Sequence, residues 1–573
     1  MDQLMAWLGD VNNILWHNYV LYAILGVGIL FTIWTKGCQV RALTHGTAVV
    51  RGKFDKKDDP GAINHFQALS TALSATVGLG NIAGVALAVS LGGPGAVFWM
   101  WVTGLIGMAL KTTEVTQAML YRNTDDPNNP HGGAMWVSAR GFAKMSPKLA
   151  WLGKVVAVIF CLTLLISTVT GGNMFQAWNV ADITFSYFNV PQMFTGSILA
   201  VIVGLVILGG IQRIGNVTGR LVPFMCVTYL LVGIAVLIMN IGMIPGLLRL
   251  IVSEAFNPTE AQGAFLGGAA GFIFLKGMQR SLFSSEAGQG SSPIAHSAAK
   301  TDEPVREGVV AGLEPFVDTL VVCTITALVI LSSGAWNRAP DLSFDSPPLL
   351  TQSAENTWTL EPLSASGEEA GSISDGQQVF AIISAHDNDD TANARHQLIG
   401  SAHPNSDGGA DITWETFESE VQPEIISEGV YVEYKGATLT AKAFDHTFED
   451  LGKWLVTLAA WLFAISTMIS WSYYGEQGMV YMFGDKSVLP YRLVYCVLIL
   501  VAASPLIATE AELDTISVLG TGVMLFANIP LMIIFGRQAM RAYHGYFKRL
   551  DDGEFHPHDA PPITDVVEGK DVK

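Results

Sequence analysis

The sequence predicts an all-α polytopic membrane protein of about 11 transmembrane helices, with a small β-rich insert on the extracytoplasmic side. Three observations predict it. Of the 573 residues, 50% are hydrophobic and only 14% charged, against roughly 25% charged in a soluble domain. The formal net charge of -18 is concentrated in one stretch, Ala335 to Thr447, which holds 19 acids and 4 bases. Outside it, charge-poor runs recur at the ~20 residues that cross a ~30 Å hydrocarbon core. A soluble enzyme is thereby excluded as the main reading. So is a nucleic-acid binder, because the acidity repels phosphate.

The elements follow in chain order. Asp2 and Asp10 precede the first apolar run, Tyr19 to Thr35, without a basic leader or A-x-A site, so this run is expected to be a retained anchor. With the basic loop after it, it makes an accessory segment, 1–60. Runs at 66–91, 95–121, 149–173, 193–211 and 217–241 form a first set of five within 61–262. Pro245 to Phe256 is too short to span and collects Leu247, Leu248, Ile251 and Ala255 on one face, as an interfacial helix does. Runs at 263–290 and 308–334, within 263–334, begin a second set. The acidic insert, 335–447, interrupts it, and runs at 451–482, 489–506 and 514–536 complete it within 448–540, leaving a tail, 541–573. With the N-terminus outside, 24 of the 32 Lys and Arg, Lys276 and Arg280 among them, fall on inner segments. That orientation puts the insert outside and the tail in the cytoplasm.

Within the insert, Gly429-Val-Tyr-Val-Glu-Tyr-Lys-Gly436 and Ala437-Thr-Leu-Thr-Ala-Lys442 alternate as two strands joined at Lys435-Gly436. Asp387, Asp389 and Asp390 cluster, but no spaced loop with a closing Glu follows, which favours a solvated acidic surface over a calcium site. Cys38, Cys161, Cys226, Cys323 and Cys496 stand singly in or beside apolar runs, so neither a disulfide framework nor a C-x-x-C metal site is expected.

Two runs break their own helical pattern. The second reads Ser74-Ala-Thr-Val-Gly-Leu-Gly-Asn-Ile-Ala-Gly84; the seventh holds Gly267, Gly268, Gly271 and Gly277 before the polar run Arg280-Ser-Leu-Phe-Ser-Ser-Glu-Ala-Gly-Gln-Gly290. Each glycine weakens a helix by ~1 kcal/mol relative to alanine. Backbone released from a helix in hydrocarbon must be satisfied by protein or by a water-filled cavity. The broken run comes first in each set of five, and an odd number of crossings inverts the second set. Paired breaks in inverted repeats mark the midplane site of a secondary transporter; close helix packing through small residues is the competing explanation. Free amides near Leu79 and Gly80 suit a carboxylate, and freed carbonyls near Ser74 and Val77 suit a hard cation. No Lys, Arg, Asp or Glu is expected near the middle of any span, Lys111, Glu114, Glu286 and Glu476 lying toward inner ends. A zwitterion with Na⁺ fits such a site better than a strongly charged substrate.

At these residues the sequence resembles the alanine or glycine:cation symporters, sodium:alanine symporters of LeuT-like fold. The resemblance rests on Asn64-His-Phe-Gln-Ala-Leu-Ser through Gly92-Gly-Pro-Gly-Ala-Val-Phe-Trp-Met-Trp101, His131-Gly-Gly-Ala-Met-Trp136, Gly171-Gly-Asn-Met-Phe-Gln-Ala177, Leu282-Phe-Ser-Ser-Glu-Ala-Gly-Gln-Gly-Ser291 and Trp471-Ser-Tyr-Tyr-Gly-Glu476. It implies Na⁺-coupled uptake of alanine, and of glycine or serine, through a cell-membrane protein whose partners are the amino acid and the bilayer. By the same resemblance Gly78, Leu79 and Gly80 hold the substrate carboxylate. Asn81 contacts substrate or cation, Gln176 and Trp471 line the pocket, and Gly277 marks the second unwound point. Ser466 and Thr467 give hydroxyls to Na⁺ beside carbonyls at Ser74 and Val77. Glu286 and Glu476 are candidates for inner gating pairs with Arg280 or Lys111, or for solvated loop charges. The family is more compact at the insert, whose removal, 340–445, is expected to leave transport chemistry intact.

Competing functions have their own signatures. Without G-x-x-x-x-G-K-[ST], primary active transport is disfavoured, and without H-E-x-x-H, G-x-S-x-G or paired mid-span aspartates, so is an intramembrane enzyme. A proton-coupled carrier needs a titratable group at mid-membrane. An amino-acid sensor would bind with little flux.

Overall fold

The computed structural model describes residues 2–257, 270–354, 356–367, 373–385, 395–406, 408–434, 437–449, 452–504 and 510–570. Gly267 and Gly268, the Asp387, Asp389 and Asp390 cluster and the turn expected at Lys435-Gly436 lie outside them. The described chain is mostly helical, and seven helices are long and apolar enough to cross a membrane by length and composition. The protein is therefore a multi-pass membrane protein.

The hydropathy pattern and the backbone agree on where helix forms, and the interruptions divide it further. One continuous apolar segment, Leu79–Tyr121, is 43 residues long, ~65 Å at 1.5 Å per residue, about twice a hydrocarbon core. It is divided at Gly93, which leaves helical geometry at φ 63 and ψ -164 just before Pro94. A positive φ of that kind is open to glycine and costly for residues with a Cβ. Another, Pro147–Phe188, widens into a π-helical turn at Thr170–Met174. One apolar core joins helices on both sides of the insert, from Leu69, Ile214 and Tyr229 to Phe463, Trp471 and Tyr495.

The helix Ala270–Ser285 is regular throughout its described length. Gly277 is therefore not the unwound point. A Cβ there would meet the Ala96 carbonyl oxygen at 2.4 Å and Trp99 Cβ at 2.8 Å. It is a packing glycine that lets Ala270–Ser285 lie against Ala83–Tyr121, and the break comes after Ser285.

Where a small β-rich module is expected, the insert forms a barrel. Its strands are β1 (Leu342–Phe344), β2 (Leu350–Ala354), β3 (Thr357–Leu360), β4 (Leu363–Ser366), β5 (Gln377–Ser384), β6 (Arg395–Pro404), β7 (Ala410–Trp414), β8 (Phe417–Glu418), β9 (Glu424–Ile425) and β10 (Gly429–Val432). The order β10-β1-β4-β7-β6-β5 closes through a further β10–β5 pairing, with β9 also on β5, while β2, β3 and β8 make a separate sheet. Closure removes the unpaired edges of an open sheet. Alternation then sorts the side chains. Val379, Ala402, Ile412, Val430 and Val432 fill the inside, whereas Phe380, Ile382 and Tyr431 form an outward stripe that packs on Phe272 and Leu91. Phe380 and Tyr431 are cross-strand partners stacked at 5.2 Å. The barrel thus sits on the start of the Ala270–Ser285 helix, and Lys276, expected on an inner segment, lies one turn from Phe272 with its ammonium 5.1 Å from that ring.

The strand expected at Ala437–Lys442 is instead a helix, Thr438–Asp445. Leu439, Ala441 and Phe444 are buried there, and Thr440 donates to the Ile82 carbonyl at 3.1 Å. Ile82 adjoins the first break, so the 340–445 segment is not wholly peripheral: its last eight residues hold the membrane core.

Candidate substrate and cation site

The first broken helix starts from a capping box. Asn64 Oδ1 accepts the Gln67 amide at 2.8 Å and Gln67 Oε1 accepts the Asn64 amide at 3.2 Å, satisfying donors that a helix start leaves free. Helix runs from His65 to Thr76, gives way at Val77 and the extended Gly78, makes one 3₁₀ turn over Leu79–Asn81 and resumes at Ala83. The second break follows Ser285: Glu286 has φ 52, and Gly288 and Gly290 have φ 82.

A cavity of about 40 Å³ lies between the breaks, room for about three waters. Ala75, Thr76, Gly78, Leu79 and Gly80 line it from the first break, and Phe283, Ser284, Glu286 and Gln289 from the second. Gln176, Thr467, Trp471, Ser517 and Thr521 contribute from other helices. The structure thus brings together Gly78, Leu79, Gly80, Gln176 and Trp471 of the expected substrate residues, while Asn81 and Gly277 do not line this cavity. The Leu79 and Gly80 amides take no backbone acceptor in the described structure, whereas Gly78 N–H donates to Asn81 Oδ1 at 2.8 Å. Gln176 donates to the Gly171 carbonyl at 3.0 Å and keeps a buried oxygen without a partner among the described residues. Trp471 closes one side so tightly that a Cβ on Gly172 would meet its ring atoms at 2.4 Å.

Three of the four expected cation residues, Ser74, Ser466 and Thr467, also meet. The Ser74 carbonyl accepts from Thr467 Oγ1 at 3.2 Å and from Ser466 Oγ at 3.4 Å. Ser74 Oγ in turn donates to the Ser466 carbonyl at 2.6 Å. Val77 ends the helix one turn on, with its carbonyl released from helical pairing. All four residues are buried. An all-oxygen, uncharged donor set of this kind fits a small hard cation.

Asn81 has another role. Its amide is engaged behind the lining residues, donating to Asp318 Oδ1 at 2.5 Å, which Ser284 of the cavity lining also reaches, and lying 3.2 Å from Cys323 Sγ. Asp318 also accepts from Ser284 at 3.1 Å and Thr319 at 2.8 Å. It is fully buried, and no cation lies within ion-pair distance among the described residues. The expectation that no charged residue lies near the middle of a span is therefore wrong at Asp318, which is midway along the apolar segment Pro304–Ser333. An acid at that place in the 308–334 run was its available signal.

Toward the other end of these helices, charges pair without Glu286 or Arg280 among the described residues. Lys111 Nζ lies 3.2 Å from Glu314 and 3.8 Å from Glu114. His296 bridges Glu314 at 2.7 Å and Glu307 at 2.5 Å, and His65 also bonds to Glu307. Glu476 pairs with Arg492 at 2.7 Å. The expected gating partners are thus replaced because Lys111 is already enclosed by Glu314 and Glu114, and Arg492 reaches Glu476 from the next helix.

The profile of the sodium:alanine symporter family matches residues 1–358 and 424–560, leaving 359–423, most of the barrel, unmatched. The sodium/alanine symporter AgcS of Methanococcus maripaludis is 35% identical over 93% of this chain and 95% of its own length. A putative sodium/proton-dependent alanine carrier protein, YrbD of Bacillus subtilis, is 28% identical over 96% of this chain and 93% of its own. A probable sodium/glutamine symporter of the same organism, GlnT, is 36% identical over 60% and 69%. With two helix breaks around one cavity and a match on both sides of its barrel, the chain belongs to the sodium:alanine symporter family, whose members are transporters and not enzymes.

Proposed function

We propose that this protein is a Na⁺-coupled symporter of a small neutral amino acid, alanine with glycine or serine as close alternatives, working by alternating access. The observation that carries this reading is the cavity itself: among the described residues it is lined by Leu79 and Gly80, whose amides have no backbone acceptor, and by no basic side chain, and its volume suits a ligand of few heavy atoms. The substrate carboxylate binds the Leu79 and Gly80 amides, and the small Trp471-walled space sets the side-chain limit. Na⁺ is the coupled cargo, held by the Ser74 and Val77 carbonyls with the Ser466 and Thr467 hydroxyls. Two inverted sets of five spans in a LeuT-like arrangement, preceded by an accessory helix, accommodate the breaks at matching positions. The N-terminus and barrel face outward and the tail lies in the cytoplasm.

Inward Na⁺ movement supplies about 2.3 kcal/mol per 100 mV. A tenfold gradient adds roughly 1.4 kcal/mol, enough for accumulation of a few hundredfold with one ion per substrate. Asp318 favours a second coupled cation, since a buried carboxylate in a span carries a charge that a moving Na⁺ or proton neutralises. YrbD, described as sodium/proton-dependent, is compatible with that addition. The test is radiolabelled alanine uptake into proteoliposomes under an inward Na⁺ gradient, with K⁺ and H⁺ gradients beside it. Na⁺-driven accumulation is expected. Accumulation under the H⁺ gradient alone would make the proton the coupled ion, and alanine binding without flux under every gradient would make the protein a sensor.

A further inference from the structure

Among the described residues lining the cavity, one carries a charge: Glu286. It sits where the second helix has just ended, held at φ 52, a left-handed conformation that a residue with a Cβ adopts at a cost. The residue is 2% exposed. Ser291 Oγ donates to Oε2 at 2.5 Å, and no other donor and no cation pairs with the carboxylate among the described residues. Lys111, the basic residue on the neighbouring helix, is engaged by Glu314 and Glu114. A carboxylate taken out of water with one neutral donor is poorly compensated, because a buried charge needs a counter-charge or several hydrogen bonds.

The missing partner is supplied by the ligand. The same cavity is lined by Leu79 and Gly80, whose amides take no backbone acceptor and are donors for a carboxylate. A molecule that binds those amides through its carboxylate and bears an ammonium group one carbon away satisfies the amides and Glu286 at once. We propose that Glu286 recognises the substrate's α-ammonium group and restricts the cavity to amino acids over hydroxy acids and plain carboxylic acids of equal size. The inference rests on the reading of this cavity as the substrate site, and it assigns Glu286 to ligand recognition instead of to an inner gate. Charge-assisted bonds of this kind are about twice as strong as neutral ones, so the discrimination they produce is large.

Binding is measured on the purified full chain in Na⁺ with three probes of similar size: alanine, lactate, which replaces the ammonium by hydroxyl, and propionate, which lacks it. Wild type is expected to bind alanine at least about tenfold tighter than either acid. Glu286→Gln is expected to lower alanine affinity and raise that of lactate, shrinking the ratio by about tenfold or more. An unchanged ratio in a folded Glu286→Gln protein overturns the proposal. So does a raised Na⁺ half-saturation with the ratio unchanged, which would make Glu286 a cation ligand. If that variant does not fold, wild type decides alone: propionate bound as tightly as alanine overturns the proposal. Wild-type protein that binds none of the three while reconstituted and folded overturns the substrate-site reading itself, which separates the two failures.

Discussion

Asn81 ties the first helix break to the buried carboxylate of Asp318: its side chain accepts Gly78 N–H at 2.8 Å through Oδ1 and donates to Asp318 at 2.5 Å through Nδ2. One amide thus shapes the loop that presents Leu79 and Gly80 and satisfies an acid inside a membrane span. Asn81→Ala leaves a buried donor and a buried acceptor short, a cost of ~1–3 kcal/mol for each unsatisfied group. Alanine uptake is expected to fall by at least tenfold, with membrane expression retained. Asp318→Asn, which keeps the shape and removes the charge, is expected to change the cation dependence of uptake more than the alanine KM. Uptake by Asn81→Ala at the wild-type rate would show that the loop holds without its brace.

The close approach of Gly78 to Thr467 gives a second expectation. A Cβ at residue 78 would lie 2.8 Å from Thr467 Oγ1, so Gly78→Ala pushes the hydroxyl away from the Ser74 carbonyl. Thr467→Ala and Ser466→Ala each remove one oxygen from the proposed cation set. All three variants should raise the Na⁺ concentration for half-maximal uptake, while the order of preference among amino acids stays the same. Na⁺ titrations that superimpose on wild type would remove these oxygens from cation binding.

Trp471 and Gly172 fill each other's space. Trp471→Ala opens a cavity of about 40 Å³ by the volume of an indole and is expected to admit leucine or phenylalanine, read as competition against labelled alanine. Gly172→Ala, whose Cβ would meet the indole at 2.4 Å, pushes the ring inward and should weaken alanine more than glycine. A substrate profile unaltered in both would mean that the indole does not set size.

Two deletions separate the barrel from the helix that follows it. Removing residues 341–432 takes out all ten strands and leaves Thr438–Asp445, with its Thr440 bond to Ile82, in place. Na⁺-dependent uptake should survive in this variant, at reduced stability because Phe272 and Leu91 lose their cover. Extending the deletion through 445 should abolish uptake even where the protein reaches the membrane. Equal activity of the two deletions would leave Thr438–Asp445 without a part in transport.

Both breaks were legible in residues: Gly78 and Gly80 around one leucine, and a polar run from Arg280 to Gly290 that lipid could not cover. Gly277 misled because a glycine has two uses in a membrane helix, and here it admits a neighbouring helix near the Ala96 carbonyl instead of loosening its own. Asp318 escaped notice because Phe316, Val317, Leu320, Val321 and Val322 surround it, so any averaged hydropathy stays high. The 437–442 segment misled by length. Leu439, Ala441 and Ala443 alternate as a strand does, while Thr440 and Phe444 share a helical face, and over eight residues both periods fit. The Asn81–Asp318 contact joins residues 237 apart in the chain, and no local pattern encodes such a pairing.

The barrel gripping Phe272 also gives the molecule a landmark. A transporter inside a belt of detergent or lipid shows an electron microscope little beyond that belt, and featureless particles are hard to align. Here a folded mass is clamped through Phe380 and Tyr431 to the helix that ends at the cavity. Under the proposed alternating access, any tilt of that helix would carry the mass with it. Images of the unmodified protein therefore carry their own pointer to conformational state, with no antibody fragment attached.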